Sequence, residues 1–161
     1  MPNTADADAV LIADVARDVL SEIAPDELPI FPAASRAYIA DPAAALRGLG
    51  AKDEMLGFGI EALAVAVTPV VLVVVTEVFQ FLTGVAAKAV ADGLAKEISE
   101  IVKAMFKRFR PSTPSIPSVL TREHIAAIHG NVLLAARRLR LSQDKALALA
   151  NAVTAQLVLK E

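Results

Sequence analysis

The sequence contains no cysteine, and only two histidines, His124 and His129, could act as imidazole ligands or bases. The absence of cysteine excludes a disulfide framework, a thiolate metal site and a cysteine nucleophile. The two histidines are five positions apart, so they do not share a helix face as an i, i+4 metal pair does. We therefore expect no metal, no cofactor and no catalytic residue, and we expect that the chain is not an enzyme.

Aromatic residues are also few, with no tryptophan and one tyrosine, yet 55% of the 161 residues are hydrophobic and the mean hydropathy is +0.53. This apolar content is high for a soluble domain. It is supplied mainly by small and β-branched aliphatic residues, which recur at helical spacing in several segments. We predict an all-α fold with an N-terminal helical module at 1–50, a central helical region at 51–110, a Pro/Ser linker at 111–118 and a C-terminal helical hairpin at 119–161.

The most apolar segment is the stretch 57–82, which reads GFGIEALAVAVTPVVLVVVTEVFQFL. It approaches the roughly 20 residues that cross a bilayer. Its thirteen Leu, Val and Phe residues between Leu63 and Leu82 favour insertion by about 6 kcal/mol, against a penalty of about 3 or less for Glu77. We predict a long central helix that inserts into a membrane, with Glu77 as the intramembrane polar residue that lines a pore or pairs across helices. The predicted membrane-facing residues are Leu63, Val67, Val71, Leu72, Val74, Val75, Val78, Phe79 and Leu82.

The same stretch is also compatible with a soluble protein. Its charge-free part, 62–76, has only fifteen residues, and Pro69 interrupts it. A helix that is apolar on all sides can be the buried centre of a soluble bundle. Both interpretations remain open at the level of sequence.

After Gly84 the pattern changes to an amphipathic helix at 85–109, whose end carries the basic string KRFR. Lys103, Lys107, Arg108 and Arg110 are its candidate contacts to lipid headgroups or to a partner protein. The positive-inside rule places this side of an inserted helix in the cytoplasm. The alternative is a helix that packs on the core, where cations at its C-terminal end are favourable without any partner.

Two further segments are defined by proline and by capping residues. The string PDELPIFP at 25–32 predicts an extended, non-helical connector, followed by a short helix around 35–39. Thr121 and Ser142 are predicted N-caps of the two hairpin helices, with a turn at residues 140–141. Ser142 also begins the string SQDK, but the companion motifs of an S-x-x-K enzyme are missing.

The hairpin resembles the Fis-type helix-turn-helix in the strings GNV at 130–132, AARRL at 135–139 and LS at 141–142. The resemblance implies a helical hairpin whose second helix contacts DNA. The chain departs from that family at Arg140, which replaces the turn glycine, and at the uncharged or acidic pair 143–144, which replaces a basic recognition helix. We interpret the similarity as shared hairpin geometry, and we do not expect nucleic acid to be a partner.

These observations lead to a functional hypothesis without catalysis. We expect a membrane-associated helical protein, either a pore-forming effector or an anchor subunit, that acts through oligomerisation and whose C-terminal side is cytoplasmic. Membrane lipid and a second copy or partner protein are the expected partners. The alternative is a soluble cytoplasmic all-α module for protein interaction or regulation.

Overall fold

The computed structural model describes residues 4–43, 67–90, 94–110 and 116–160. Within them the fold is all-α, as predicted, with six α-helices and two short 3₁₀ helices. The α-helices are α1 (Thr4–Ile23), α2 (Phe31–Ala40), α3 (Val67–Ala89), α4 (Ala95–Ala104), α5 (Arg122–Arg138) and α6 (Gln143–Ala155), and the 3₁₀ helices are Pro25–Ile30 and Lys107–Phe109.

Helix α3 is the centre of the packing, because α1, α2, α4 and α5 all contact it. Its valines have modest intrinsic helix propensity, so most of its helical stability comes from burial against these neighbours. Pro69 lies in the first turn, where a residue without an N–H group is tolerated. The predicted central helix is thus confirmed from Val67 onward, whereas the prediction for 57–66 falls outside the described residues.

The prediction of an extended connector at 25–32 is wrong. Residues Pro25–Ile30 form a 3₁₀ helix, and α2 begins directly after it at Phe31. Pro25 and Pro32 occupy the starts of the two helices, where their missing N–H groups have no intrahelical partner to lose. The short helix predicted around 35–39 is part of α2.

The boundary predicted at residues 83–84 also differs from the structure. Helix α3 continues through Gly84 to Ala89, and the amphipathic segment contributes the shorter helix α4. Leu94, which directly precedes α4, is 56% exposed. The reason is that tertiary packing extends α3 past a single glycine, whose unfavourable contribution in a helix is only about 1 kcal/mol.

The C-terminal hairpin has the predicted caps. The Thr121 hydroxyl accepts a hydrogen bond from the His124 amide at 3.3 Å, and the Ser142 hydroxyl accepts one from the Lys145 amide at 3.3 Å. After α6 the chain runs between two other segments. The Val158 amide donates to the Met105 carbonyl at 2.8 Å. The Lys160 amide donates to the Leu120 carbonyl at 2.6 Å, which fixes the end of the chain to the body of the protein.

Candidate functional site

The residues predicted to face a membrane are covered by the chain itself. Eight of the nine lie in α3, and each has at most 7% of its surface exposed; the ninth, Leu63, lies outside the described residues. By length and composition α3 could nevertheless cross a membrane, since it has 23 residues and an 18-residue window of mean hydropathy 2.1. Of that window 56% is buried inside the protein. A core helix of a soluble protein has the same properties.

The start of α3 is held by Glu27, a residue that the sequence analysis did not single out. Its carboxylate accepts hydrogen bonds from the amides of Val67 and Thr68, both at 2.9 Å, and from the Thr68 hydroxyl at 2.8 Å. Because Pro69 has no N–H group, these bonds account for the backbone donors of the first three residues of α3. A carboxylate at this position is also favoured by the positive end of the helix dipole.

Glu77, the predicted intramembrane acid, makes an ion pair with α5. Its Oε1 atom accepts a hydrogen bond from Nη2 of Arg138 at 2.5 Å. The two side chains are 42% and 61% exposed, so solvent screens the pair and its net contribution to stability is small. Glu77 therefore lies at the surface of the folded protein, on the side of α3 that faces Arg138 of α5.

A groove of about 420 Å³ lies between α3 and α5. Its floor consists of Val74, Val78, Val132 and Ala135, all buried, while Glu77 and Arg138 supply its charged groups. The volume and the mainly apolar lining are typical of binding sites. The remaining lining residues are Phe81, Ile128, Asn131 and Leu134.

Of the four predicted headgroup contacts, the two arginines make side-chain hydrogen bonds within the chain. Nη1 of Arg108 lies 2.7 and 2.6 Å from the two carboxylate oxygens of Asp18 in α1, and this hydrogen bonding raises the pKa of the guanidinium. Arg110 donates to two backbone carbonyls, at 3.3 and 3.4 Å. Lys103 lies 6.0 Å from the ring centre of Phe109. At Lys107 the backbone amide donates to the Gln156 carbonyl at 2.9 Å. Arg108 thus links the segment after α4 to α1.

The turn between α5 and α6 has an unusual backbone. Arg140 has a φ of 65°, in the left-handed region that favours glycine, and it occupies the position of the turn glycine in the helix-turn-helix pattern. Because the sequence has arginine where that pattern has glycine, the sequence alone could have indicated a strained backbone at Arg140.

The histidines have structural roles. His124 accepts from the Thr121 amide at 3.1 Å, and His129 hydrogen bonds to Asn151 at 2.9 Å, which links α5 to α6. Among the described residues, no three His, Asp or Glu side chains form a cluster that could hold a metal ion.

Comparison of the chain with known protein families, with curated proteins and with solved structures gives no match. The function of this protein is therefore inferred from the residues of the site itself.

Proposed function

We propose that the chain is a non-catalytic, all-α protein-interaction module that folds in water around α3 and binds its partner through the groove between α3 and α5. The burial of the eight α3 residues by helices of the same chain supports this proposal most strongly. Burying a Val, Leu or Phe side chain is worth about 1.5–3 kcal/mol wherever the cover comes from. Here α1, α2, α4 and α5 already supply the cover.

Moving α3 out of this core would be unfavourable for the other helices. The buried faces that α1 and α5 turn to the core include Val15, Val19, Ile128 and Val132, and they would become exposed to water without α3. The transfer of α3 to lipid would have to offset that exposure as well as the loss of the Glu27 cap.

The test is recovery of the protein in detergent-free buffer, followed by size-exclusion chromatography with light scattering and far-UV circular dichroism. We expect a soluble, monodisperse, helical species. Recovery only in the membrane fraction, or only with detergent, would contradict the proposal.

A second candidate function, membrane association, is favoured by one observation, the length and hydropathy of α3. In this state α3 would leave the bundle and span the bilayer, with Lys103, Lys107, Arg108 and Arg110 on the cytoplasmic side. The protein would then be an anchor subunit or, after oligomerisation, a pore with Glu77 facing its lumen.

Liposome flotation and dye release test this second candidate. Association with vesicles at neutral pH, together with dye release that Glu77→Leu abolishes, is the result expected of a pore. As a matched control, Glu22→Leu removes an exposed acid from α1 and should not change leakage. Equal leakage from wild type and Glu77→Leu would reject the role of Glu77, and failure to float with vesicles would reject membrane association.

A further inference from the structure

The most exposed large apolar side chain among the described residues lies at the edge of the α3–α5 groove. Leu134 is 66% exposed and belongs to the groove lining. It shares an exposed face of α5 with Asn131, one turn before it, and Arg138, one turn after it. A protruding leucine and an apolar groove therefore lie side by side in one surface patch.

We infer that this patch is the interface of a two-fold symmetric dimer of the chain, in which Leu134 of each copy enters the groove of the other. The inference rests on the proposed function and names the partner. A two-fold interface uses the same patch on both copies, so the patch must contain both the projecting group and the site that receives it. The combination of Leu134 and the groove meets this requirement, whereas a patch that binds an unrelated partner needs only one of them.

The shape of the groove suits an entering leucine side chain. Its floor residues are small or β-branched and buried, which leaves a depression between the two helix backbones. Phe81 and Ile128 are the larger apolar residues of the lining besides Leu134, and Ile128 is buried. In an antiparallel pairing of two α5 helices, Leu134 of one copy would pack against these residues of the other.

The charges of the patch are also self-complementary. Glu77 and Arg138 give it one acid and one base, so two copies approach without net repulsion. The pair is formed within one copy at 2.5 Å, and its exposed atoms can also bond across the two-fold axis.

Analytical ultracentrifugation over a wide concentration series tests the dimer. We expect the wild-type mass to change from monomer to dimer, and Leu134→Glu to remain a monomer at every concentration. Leu134 is exposed, so this variant should keep the circular dichroism spectrum and melting temperature of the monomer. The matched control is Leu147→Glu, an exposed leucine of α6 that does not line the groove, and it should dimerise as the wild type does.

Single thiols give an independent readout, because the native sequence has no cysteine. Because Leu134 enters the groove of the other copy, oxidation of a mixture of Leu134→Cys and Asn131→Cys should yield a disulfide-linked dimer, since Asn131 lines that groove and a disulfide requires Cα atoms within roughly 7 Å. Leu147→Cys should remain mostly unlinked.

Charge reversal completes the test. Either Glu77→Arg or Arg138→Glu alone should weaken the dimer, and mixing the two single variants should restore association through a mixed dimer, which the pair within one copy cannot explain. A soluble protein that stays a monomer at all concentrations would overturn the dimer while leaving a soluble interaction module intact. Loss of dimerisation in Leu147→Glu equal to that in Leu134→Glu would also overturn it. Insolubility without detergent would instead overturn the proposed function, and the dimer with it.

Discussion

At the scale of single residues, Arg140 adopts a conformation that glycine would adopt more easily. The left-handed region costs a residue with a Cβ atom about 1–2 kcal/mol, and the greater freedom of glycine in the unfolded chain offsets part of this. We expect Arg140→Gly to raise the free energy of unfolding by up to about 1 kcal/mol in urea titrations. Arg140→Val should lower it, because a β-branched residue fits this region poorly. A valine variant at least as stable as the glycine variant, both of which lack the arginine side chain, would contradict the assigned turn geometry.

The hydrogen bonds of Glu27 lead to a second prediction, which concerns the start of α3. Removal of its carboxylate leaves two backbone amides and the buried Thr68 hydroxyl without their acceptor. We expect Glu27→Ala to lower the free energy of unfolding by about 1–3 kcal/mol, and Glu27→Gln, which keeps one acceptor oxygen, to lower it less. The exposed Glu22 provides the control, since Glu22→Ala should change stability by less than about 0.5 kcal/mol. Equal losses in the two alanine variants would mean that Glu27 does not cap α3.

Two carboxyl groups contribute to the pH dependence with opposite signs. Hydrogen bonds from the backbone N–H of Glu123 and then from the Thr121 hydroxyl hold the pKa of Glu123 below its reference value of 4.5. The ionised Glu123 carboxylate therefore stabilises the fold above its pKa in the unfolded chain, and this stabilisation is lost as the pH falls through its pKa in the folded protein. Burial raises the pKa of Asp8 above 3.8, so protonation of Asp8 adds stability as the pH falls through its folded value.

As the pH is lowered, we expect the free energy of unfolding of Glu123→Gln to fall less than that of the wild type. Asp8→Asn should lack the increase in the free energy of unfolding that protonation of Asp8 gives the wild type. Carboxyl titration by two-dimensional NMR checks both assignments directly. A Glu123 pKa above its reference value, or an Asp8 pKa below its own, would contradict them.

At the scale of elements, the continuity of α3 through Gly84 can be tested. The space around Gly84 is open, with no atom within 4 Å of the position of an added Cβ. Inside a helix, Gly→Ala then raises the free energy of unfolding by about 0.5–1 kcal/mol. We expect this gain for Gly84→Ala, measured by urea or thermal unfolding. Gly130→Ala in α5, where the space is equally open, serves as the reference. If Gly130→Ala raises the free energy of unfolding and Gly84→Ala does not, α3 ends before Gly84, as the sequence alone predicts.

The elements also show what could be predicted from the sequence and what could not. Local signals were sufficient for the all-α class, for the apolar helix and for the caps Thr121 and Ser142, because capping and periodicity act within a few residues. The contacts of Glu27 and Glu77 span 40 and 61 residues, so no local pattern reveals them. The prolines at 25–32 were misinterpreted because tertiary context decided between an extended and a 3₁₀ backbone.

The sequence did not show whether lipid or other helices cover α3, and the reason is different. An apolar helix gains its transfer free energy from lipid and from other helices alike, so composition alone does not distinguish the two. The choice depends on whether the rest of the chain offers enough apolar surface, which is a property of the folded structure.

At the scale of the whole molecule, α3 unites parts of the chain that differ in charge. Helices α1 and α2 come from the acidic residues 1–60, with ten Asp and Glu against four Lys and Arg, and α4 and α5 come from the basic remainder. All four contact α3, and the ion pair between Asp18 and Arg108 joins α1 to the basic cluster across 90 residues. This ion pair places an acidic residue of the N-terminal part against a basic residue of the remainder within one fold.

The most direct test of this account is native-state hydrogen exchange of the α3 amides in detergent-free buffer. A central core helix should contain the slowest-exchanging amides of the protein, from Val70 to Leu82, and their opening free energy should equal that of global unfolding. If those amides instead exchange as fast as the ones in the exposed turns, α3 is not the core of the folded protein in water.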